Sequence, residues 1–114
     1  MAVRKELDGE LVLYAANDTL KEMTASYTII AYDEAGDGKK IASGICNQGQ
    51  NSVSEVCPIA VGDTPQLLVI QWTVDGKEYM NHAFTANASY ETMERWVRII
   101  GREGNFYDEI LELK

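Results

Sequence analysis

The single histidine, His82, is the side chain best suited to general acid–base chemistry in this sequence. It follows Asn81 in a predicted strand, and no nucleophile motif of the GxSxG type accompanies it. A structural, hydrogen-bonded histidine is therefore the favoured interpretation. The 18 acidic residues allow a carboxylate pair in principle, but their spacing does not single one out. We assign no catalytic residue.

The acidic, glycine-containing segment 33–40 resembles part of a calcium-binding loop. Asp33, Asp37 and Gly38 match positions 1, 5 and 6 of the EF-hand pattern, but position 12 is Gly44. Because the bidentate carboxylate is missing, a charged turn is the better interpretation. The sequence predicts no metal site and no cofactor.

Two cysteines, Cys46 and Cys57, lie on either side of a polar segment. A hairpin centred between Asn51 and Ser52 would place them opposite each other, where a disulfide needs some local adjustment. Two buried free thiols that pack as small hydrophobic side chains are the favoured alternative. A zinc site that also used His82 would lack a fourth ligand of suitable spacing.

Exposed aromatic side chains could stack on sugar rings if the fold presents them on a flat surface. The tyrosines available for this role are Tyr14, Tyr27, Tyr32 and Tyr79. Trp72 and Trp96 fall within apolar faces, so we expect both to pack in the core.

Length and charge limit the function classes. A chain of 114 residues with 46% hydrophobic residues predicts one globular domain, residues 1–114. A net charge of -8 argues against binding to nucleic acid phosphates. No apolar run approaches the roughly 20 residues of a membrane helix, and the N-terminal segment lacks the apolar stretch of a signal peptide.

Residues 1–86 are predicted to form strands. Apolar and β-branched segments alternate with polar turns at 10–16, 24–32, 41–46, 53–61, 66–74 and 77–84. Asp75-Gly76 is a strong hairpin signal, and Pro58 indicates an edge strand or a bulge. About seven short strands predict a mainly β fold, an antiparallel β-sandwich with one C-terminal helix.

Period-2 patterning predicts which strand residues share a face. In the second strand, one face carries Ala25, Tyr27, Ile29 and Ala31, and the other carries Ser26, Thr28, Ile30 and Tyr32. In the segment 66–74, the shared face carries Leu68, Ile70, Trp72 and Val74.

Over residues 87–101, the spacing of the apolar residues changes from the period of a strand to that of a helix. The apolar stripe consists of Tyr90, Met93, Val97 and Ile100, with Trp96 beside it. Asn87 or Ser89 can cap the N-terminus, and Gly101 can end the helix. The remaining segment, 102–114, contains five large apolar residues and is expected to dock on another surface.

Three stretches resemble the C-terminal immunoglobulin-like domain of family 2 glycoside hydrolases, the β-galactosidase, β-mannosidase and β-glucuronidase group. Residues 13–19 (LYAANDT) are similar to an early "V-x-N-D-T" strand. Residues 72–76 and 81–84 (WTVDG and NHAF) are similar to a "W…DG…NHY" hairpin, although Ala83 departs from the aromatic residue of that pattern. Residues 90–96 are similar to a closing "Y…W" helix.

This resemblance implies a non-catalytic accessory domain of a longer carbohydrate-degrading enzyme. The catalytic carboxylates of that family lie on a separate (β/α)₈ barrel, so the likeness transfers no catalytic residue. It implies that sister domains are the partners and that the parent enzyme is bacterial and periplasmic or secreted. Asn17, Asp18, Asn81 and His82 are expected to cap strand ends as scaffold residues. An independent carbohydrate- or protein-binding module is the alternative.

Overall fold

The computed structural model describes residues 1–5, 10–17, 20–60, 62 and 64–104. Seven strands precede one helix. The strands are β1 (Ala2–Lys5), β2 (Leu11–Asn17), β3 (Met23–Tyr32), β4 (Gly38–Gln48), β5 (Ser52–Ile59), β6 (Leu67–Val74) and β7 (Lys77–Phe84). The helix is α1 (Tyr90–Gly104).

The strands form two antiparallel sheets, with the orders β1-β2-β5 and β4-β3-β6-β7. In immunoglobulin constant domains, strands 1, 2, 4 and 5 share one sheet and strands 3, 6 and 7 share the other. Here the fourth strand instead pairs with the third, through the register Ala25↔Cys46 and Tyr27↔Gly44. The predicted mainly β sandwich with one C-terminal helix is confirmed.

The core between the sheets follows the predicted alternation. Its central residues are Leu13, Ile29, Ala31, Ile59, Leu68 and Ile70. Tyr27 and Trp72 are half-buried and pack against this cluster. Because the side chains of a strand alternate between faces, the neighbouring residues Ile30 and Tyr32 point away from this core, as predicted.

The opposite face of the larger sheet packs against α1, which forms a third layer. This second cluster contains Tyr32, Leu67, Val69, Trp96, Ile99 and Ile100. Trp96 is completely buried, and its indole N–H donates to the carbonyl of Asp33 at 2.8 Å. The prediction that Trp96 packs in the core is confirmed.

The helix buries only part of the predicted stripe: Trp96, Ile100 and Met93 pack against the sheet, but Tyr90 and Val97 do not. Tyr90 is 83% exposed and Val97 47% exposed, whereas Thr92 and Ile99 are buried. The bond from Trp96 to the turn after β3 fixes the rotation of the helix, and no residue spacing could encode that contact. The helix also continues past Gly101 to Gly104, so the predicted end was wrong.

Several sequence patterns at the ends of strands and of the helix predicted the observed local structure. The hydroxyl of Ser89 accepts a hydrogen bond from the backbone N–H of Thr92, which makes Ser89 the N-cap. Asp75 and Gly76 both have positive φ, as a type I′ hairpin requires. Pro58 lies on the edge strand β5, which also carries a register shift.

Apart from residues 102–104 at the end of α1, the C-terminal segment predicted to dock lies outside the described residues. Among the described residues, no helix has the length and apolar character needed to cross a bilayer.

Candidate functional site

The buried amide of Asn17 connects two parts of the chain that are distant in sequence. Asn17 is the last residue of β2 and is only 6% exposed. Its Nδ2 donates to the carbonyl of Lys21 at 2.7 Å and to that of Gly49 at 3.0 Å, with a longer contact to Gln48 at 3.4 Å. The capping geometry expected at this strand end is therefore present. Asp18, which was also predicted to cap this strand end, lies outside the described residues.

Gln48 extends this polar junction across the sandwich. It is 6% exposed, and its Nε2 donates to Ser54 Oγ at 2.6 Å, which joins β4 to β5. Its Oε1 is buried without a hydrogen-bond partner among the described residues. No sequence pattern pointed to this residue, because a glutamine near a turn is ordinarily solvated.

Asn81 and His82 lie in β7, as the strand predicted over 77–84 requires, but neither side chain caps the end of a strand. Asn81 is in the middle of β7, opposite Ile70, and its Nδ2 donates to the carbonyl of Met1 at 2.9 Å. The amide therefore joins β7 to the N-terminal residue of the other sheet rather than capping a hairpin. His82 is exposed, and its ring lies edge-on to Phe84 at 5.6 Å. The expectation that His82 caps a strand end was wrong, since its side chain faces outward.

Cys46 and Cys57 are free thiols, each half-buried. The chain does turn at 50–51, but β4 pairs with β3 and β5 pairs with β2. The alternative in which a hairpin would place the cysteines opposite each other was therefore wrong, because the turn carries the chain from one sheet to the other.

The four tyrosines considered for sugar stacking have different environments. Tyr32 is 7% exposed and belongs to the core beneath α1, so it cannot contact a sugar. Tyr27 is half-buried against the inter-sheet core, and Tyr14 lies under the guanidinium of Arg4 at 4.8 Å. Tyr79 is 46% exposed, and its ring stacks on Trp72 with centroids 5.7 Å apart.

Comparison with protein-family models, curated proteins and solved structures gave no match. The contacts of the described residues are therefore the observations on which function rests.

Enclosed space near these groups is small. A recess of about 140 Å³ lies beside the β1–β2 pair and is lined by Met1, Arg4, Tyr14, Ala16 and Val53, among others. Ligand pockets usually have volumes of about 300–1,000 Å³, so this recess could hold only a fragment of a sugar. In the described part of the chain, no group of three His, Cys, Asp or Glu side chains is arranged to hold a metal ion.

Large apolar side chains are exposed where α1 meets the edge of the larger sheet. Phe84, at the end of edge strand β7, is 40% exposed and stacks on Trp96 with centroids 5.8 Å apart. Tyr90 and Val97, on α1, are the two residues of the predicted stripe that the sheet does not cover. We call Phe84, Tyr90 and Val97 the helix–β7 surface. Exposed apolar side chains that form a patch often mark interaction sites.

Proposed function

We propose that this chain is a non-catalytic accessory domain of a multidomain glycoside hydrolase that docks on a sister domain through the helix–β7 surface. The resemblance to family 2 glycoside hydrolases supplies the enzyme class. The observation that carries the docking role is the exposure of Tyr90 and Val97 on a helix that buries Trp96, Ile99 and Ile100 against the sheet.

The contacts beneath the helix support this role, because they hold the surface in one orientation. Trp96 donates to Asp33, and the guanidinium of Arg95 donates to the carbonyl of Glu34. Both bonds attach α1 to the turn between β3 and β4. A surface that is already ordered loses little side-chain and backbone entropy on binding, which favours association.

The open edge of β7 adds a second attachment point. Because β7 is the last strand of its sheet, half of its backbone hydrogen-bonding groups have no neighbouring strand. Its first residue, Lys77, is charged, but Tyr79 and Phe84 leave the rest of the strand partly apolar. A sister domain could cover both this edge and the exposed side of α1.

The experiment compares the 114-residue chain with the full polypeptide encoded by its parent reading frame. We expect backbone amides of β7 and α1 to exchange hydrogen at least tenfold more slowly in the full polypeptide. The double variant Tyr90→Ser/Val97→Ser should remove that difference and leave the melting temperature of the isolated chain nearly unchanged.

Val53→Ser is the matched control, because Val53 is 59% exposed but lies on β5 of the other sheet. Equal exchange rates in both contexts, or equal effects of Val53→Ser and the double variant, would contradict docking through this surface. A reading frame that encodes no catalytic barrel would contradict the enzyme class.

Carbohydrate binding is the second proposed function, and the exposed Tyr79 ring beside Trp72 favours it. Affinity electrophoresis in plant and host polysaccharides tests it. Retardation that Tyr79→Ala abolishes and Tyr90→Ala preserves would support a sugar site. Absence of retardation would contradict carbohydrate binding and would leave docking as the proposed function. The isolated chain should not hydrolyse nitrophenyl glycosides under either proposal.

A further inference from the structure

Cys46 and Cys57 lie on the inner faces of two edge strands at the same side of the sandwich. Cys46 pairs with Ala25 on β3, two residues from Tyr27, which packs against the inter-sheet core. Cys57 pairs with Leu13 at the centre of that core and packs against it. Both thiols therefore point into the space between the sheets.

The hydrogen bond from Gln48 to Ser54 sets the alignment of β4 against β5 across this space. Cys46 lies two residues before Gln48, and Cys57 lies three residues after Ser54. The register of β5 pairs Leu13 with Cys57 and Tyr14 with Glu55, so Val56 is the extra residue of a bulge. Each cysteine is thus two ladder steps from the Gln48–Ser54 bond, which places the two thiols face to face.

The surroundings of the thiols agree with this alignment. The side chains of Tyr27 and Cys57 share a hydrogen bond, and Tyr27 also interacts electrostatically with Cys46. Burial raises the pKa of the Cys46 thiol, and hydrogen bonds from the Ala25 backbone and the Gln48 side chain partly oppose that shift. A charge on Cys57 also raises the pKa of the Cys46 thiol, as expected if the two thiols are neighbours.

We propose that Cys46 and Cys57 form an inter-sheet disulfide when the domain meets a low-molecular-weight disulfide such as oxidised glutathione. One cysteine thiolate attacks the glutathione disulfide, forms a mixed disulfide and releases one glutathione thiolate. The second cysteine thiolate then displaces the other glutathione. The two cysteines are oxidised by two electrons, oxidised glutathione is reduced, and the two cysteine protons leave with the two glutathione thiols. This proposal does not depend on the proposed function.

A disulfide between Cys46 and Cys57 should stabilise the fold, because it closes the loop between them. Cys46 to Cys57 spans 12 residues, counting both ends. Restricting a loop of this length in the unfolded chain corresponds to roughly a 100-fold increase in the folding equilibrium constant. The reaction should accelerate as the pH rises, because the thiolate is the nucleophile and burial disfavours the thiolate of Cys46.

The test equilibrates the full chain in glutathione buffers from fully reduced to fully oxidised, followed by non-reducing peptide mapping and urea unfolding. We expect one intramolecular Cys46–Cys57 link and a higher urea midpoint in the oxidised protein. Cys46→Ser and Cys57→Ser should each acquire a single glutathione adduct with no such gain. Two titratable thiols, separate glutathione adducts on both cysteines, or linked dimers in oxidised buffer would each overturn the proposal.

Discussion

Replacing Asn17 with alanine tests the most connected polar group in the described structure. The substitution removes donors to the carbonyls of Lys21 and Gly49, at 2.7 and 3.0 Å, in a side chain that is 6% exposed. Each lost bond of this kind costs about 0.5–1.5 kcal/mol, and more where an acceptor stays buried without a partner. We therefore expect Asn17→Ala to lower the free energy of unfolding by about 1–3 kcal/mol.

Urea unfolding at pH 7, followed by far-ultraviolet circular dichroism, measures this difference. The melting temperature should fall by about 4 °C for each kcal/mol in a domain of this size. Asn47→Ala is the matched control, because Asn47 is exposed and its Oδ1 accepts a bond from the exposed Thr24 hydroxyl. This control should change stability by no more than about 0.5 kcal/mol.

Asn17→Asp tests whether the loss of stability changes with pH in the expected direction. The new carboxylate would face backbone carbonyl oxygens, so its folded-state pKa would lie above its unfolded value of about 3.9. The penalty should then be small below about pH 4 and should grow as the pH rises through the folded-state pKa. Equal unfolding free energies for Asn17→Ala and Asn47→Ala, or a penalty for Asn17→Asp that does not change with pH, would refute this reasoning.

Three other predictions use the same unfolding assay. Trp96→Phe should lower the free energy of unfolding by about 2–4 kcal/mol, because it removes core volume and the donor to the Asp33 carbonyl. A loss smaller than about 1 kcal/mol would count against that hydrogen bond. Gly36→Ala should lower the free energy of unfolding by about 1–2 kcal/mol, since Gly36 has a φ of 90° and a Cβ there would lie 2.9 Å from Arg95 Cδ. Adding Arg95→Ala should remove the clash with the Arg95 side chain but not the backbone strain, so it should recover only part of this loss. Under reducing conditions, the free energy of unfolding should decline above about pH 9, because burial raises the pKa of the Cys46 thiol above 9.0 and the thiol of the unfolded chain therefore ionises first. Cys46→Ala should show a shallower decline of this free energy with pH. An identical pH profile would argue against burial of this thiol.

The sequence predicted strand faces well because period-2 patterning reports burial directly. Ile29 and Leu68 alternate with polar or opposite-facing neighbours, and both lie in the inter-sheet core. The Asp75-Gly76 turn and the Ser89 cap were also predictable, since each depends on backbone conformations that few residue types adopt. These signals are local, so a single sequence is enough to reveal them.

The candidate sites were less predictable, because they depend on contacts between distant segments. Tyr32 and Tyr79 are both strand tyrosines, yet one is buried beneath the helix and the other is exposed at a sheet edge. Two residues of the predicted helix stripe, Tyr90 and Val97, were misjudged for the same reason. The spacing of the stripe allowed several rotations, and the bond from Trp96 to Asp33 determined which one occurs.

By itself, the sequence determined a mainly β domain with a C-terminal helix, because alternation, turn residues and helical periodicity are properties of neighbouring residues. The tertiary structure alone decided that β4 joins β3 and β5 joins β2, which places Cys46 and Cys57 in different sheets. It also decided that Asn17 bonds to Gly49, 32 residues away, and that Tyr90 and Val97 remain exposed. The physical reason is that strand pairing and helix rotation minimise free energy over the whole molecule, whereas sequence patterns record only local preferences.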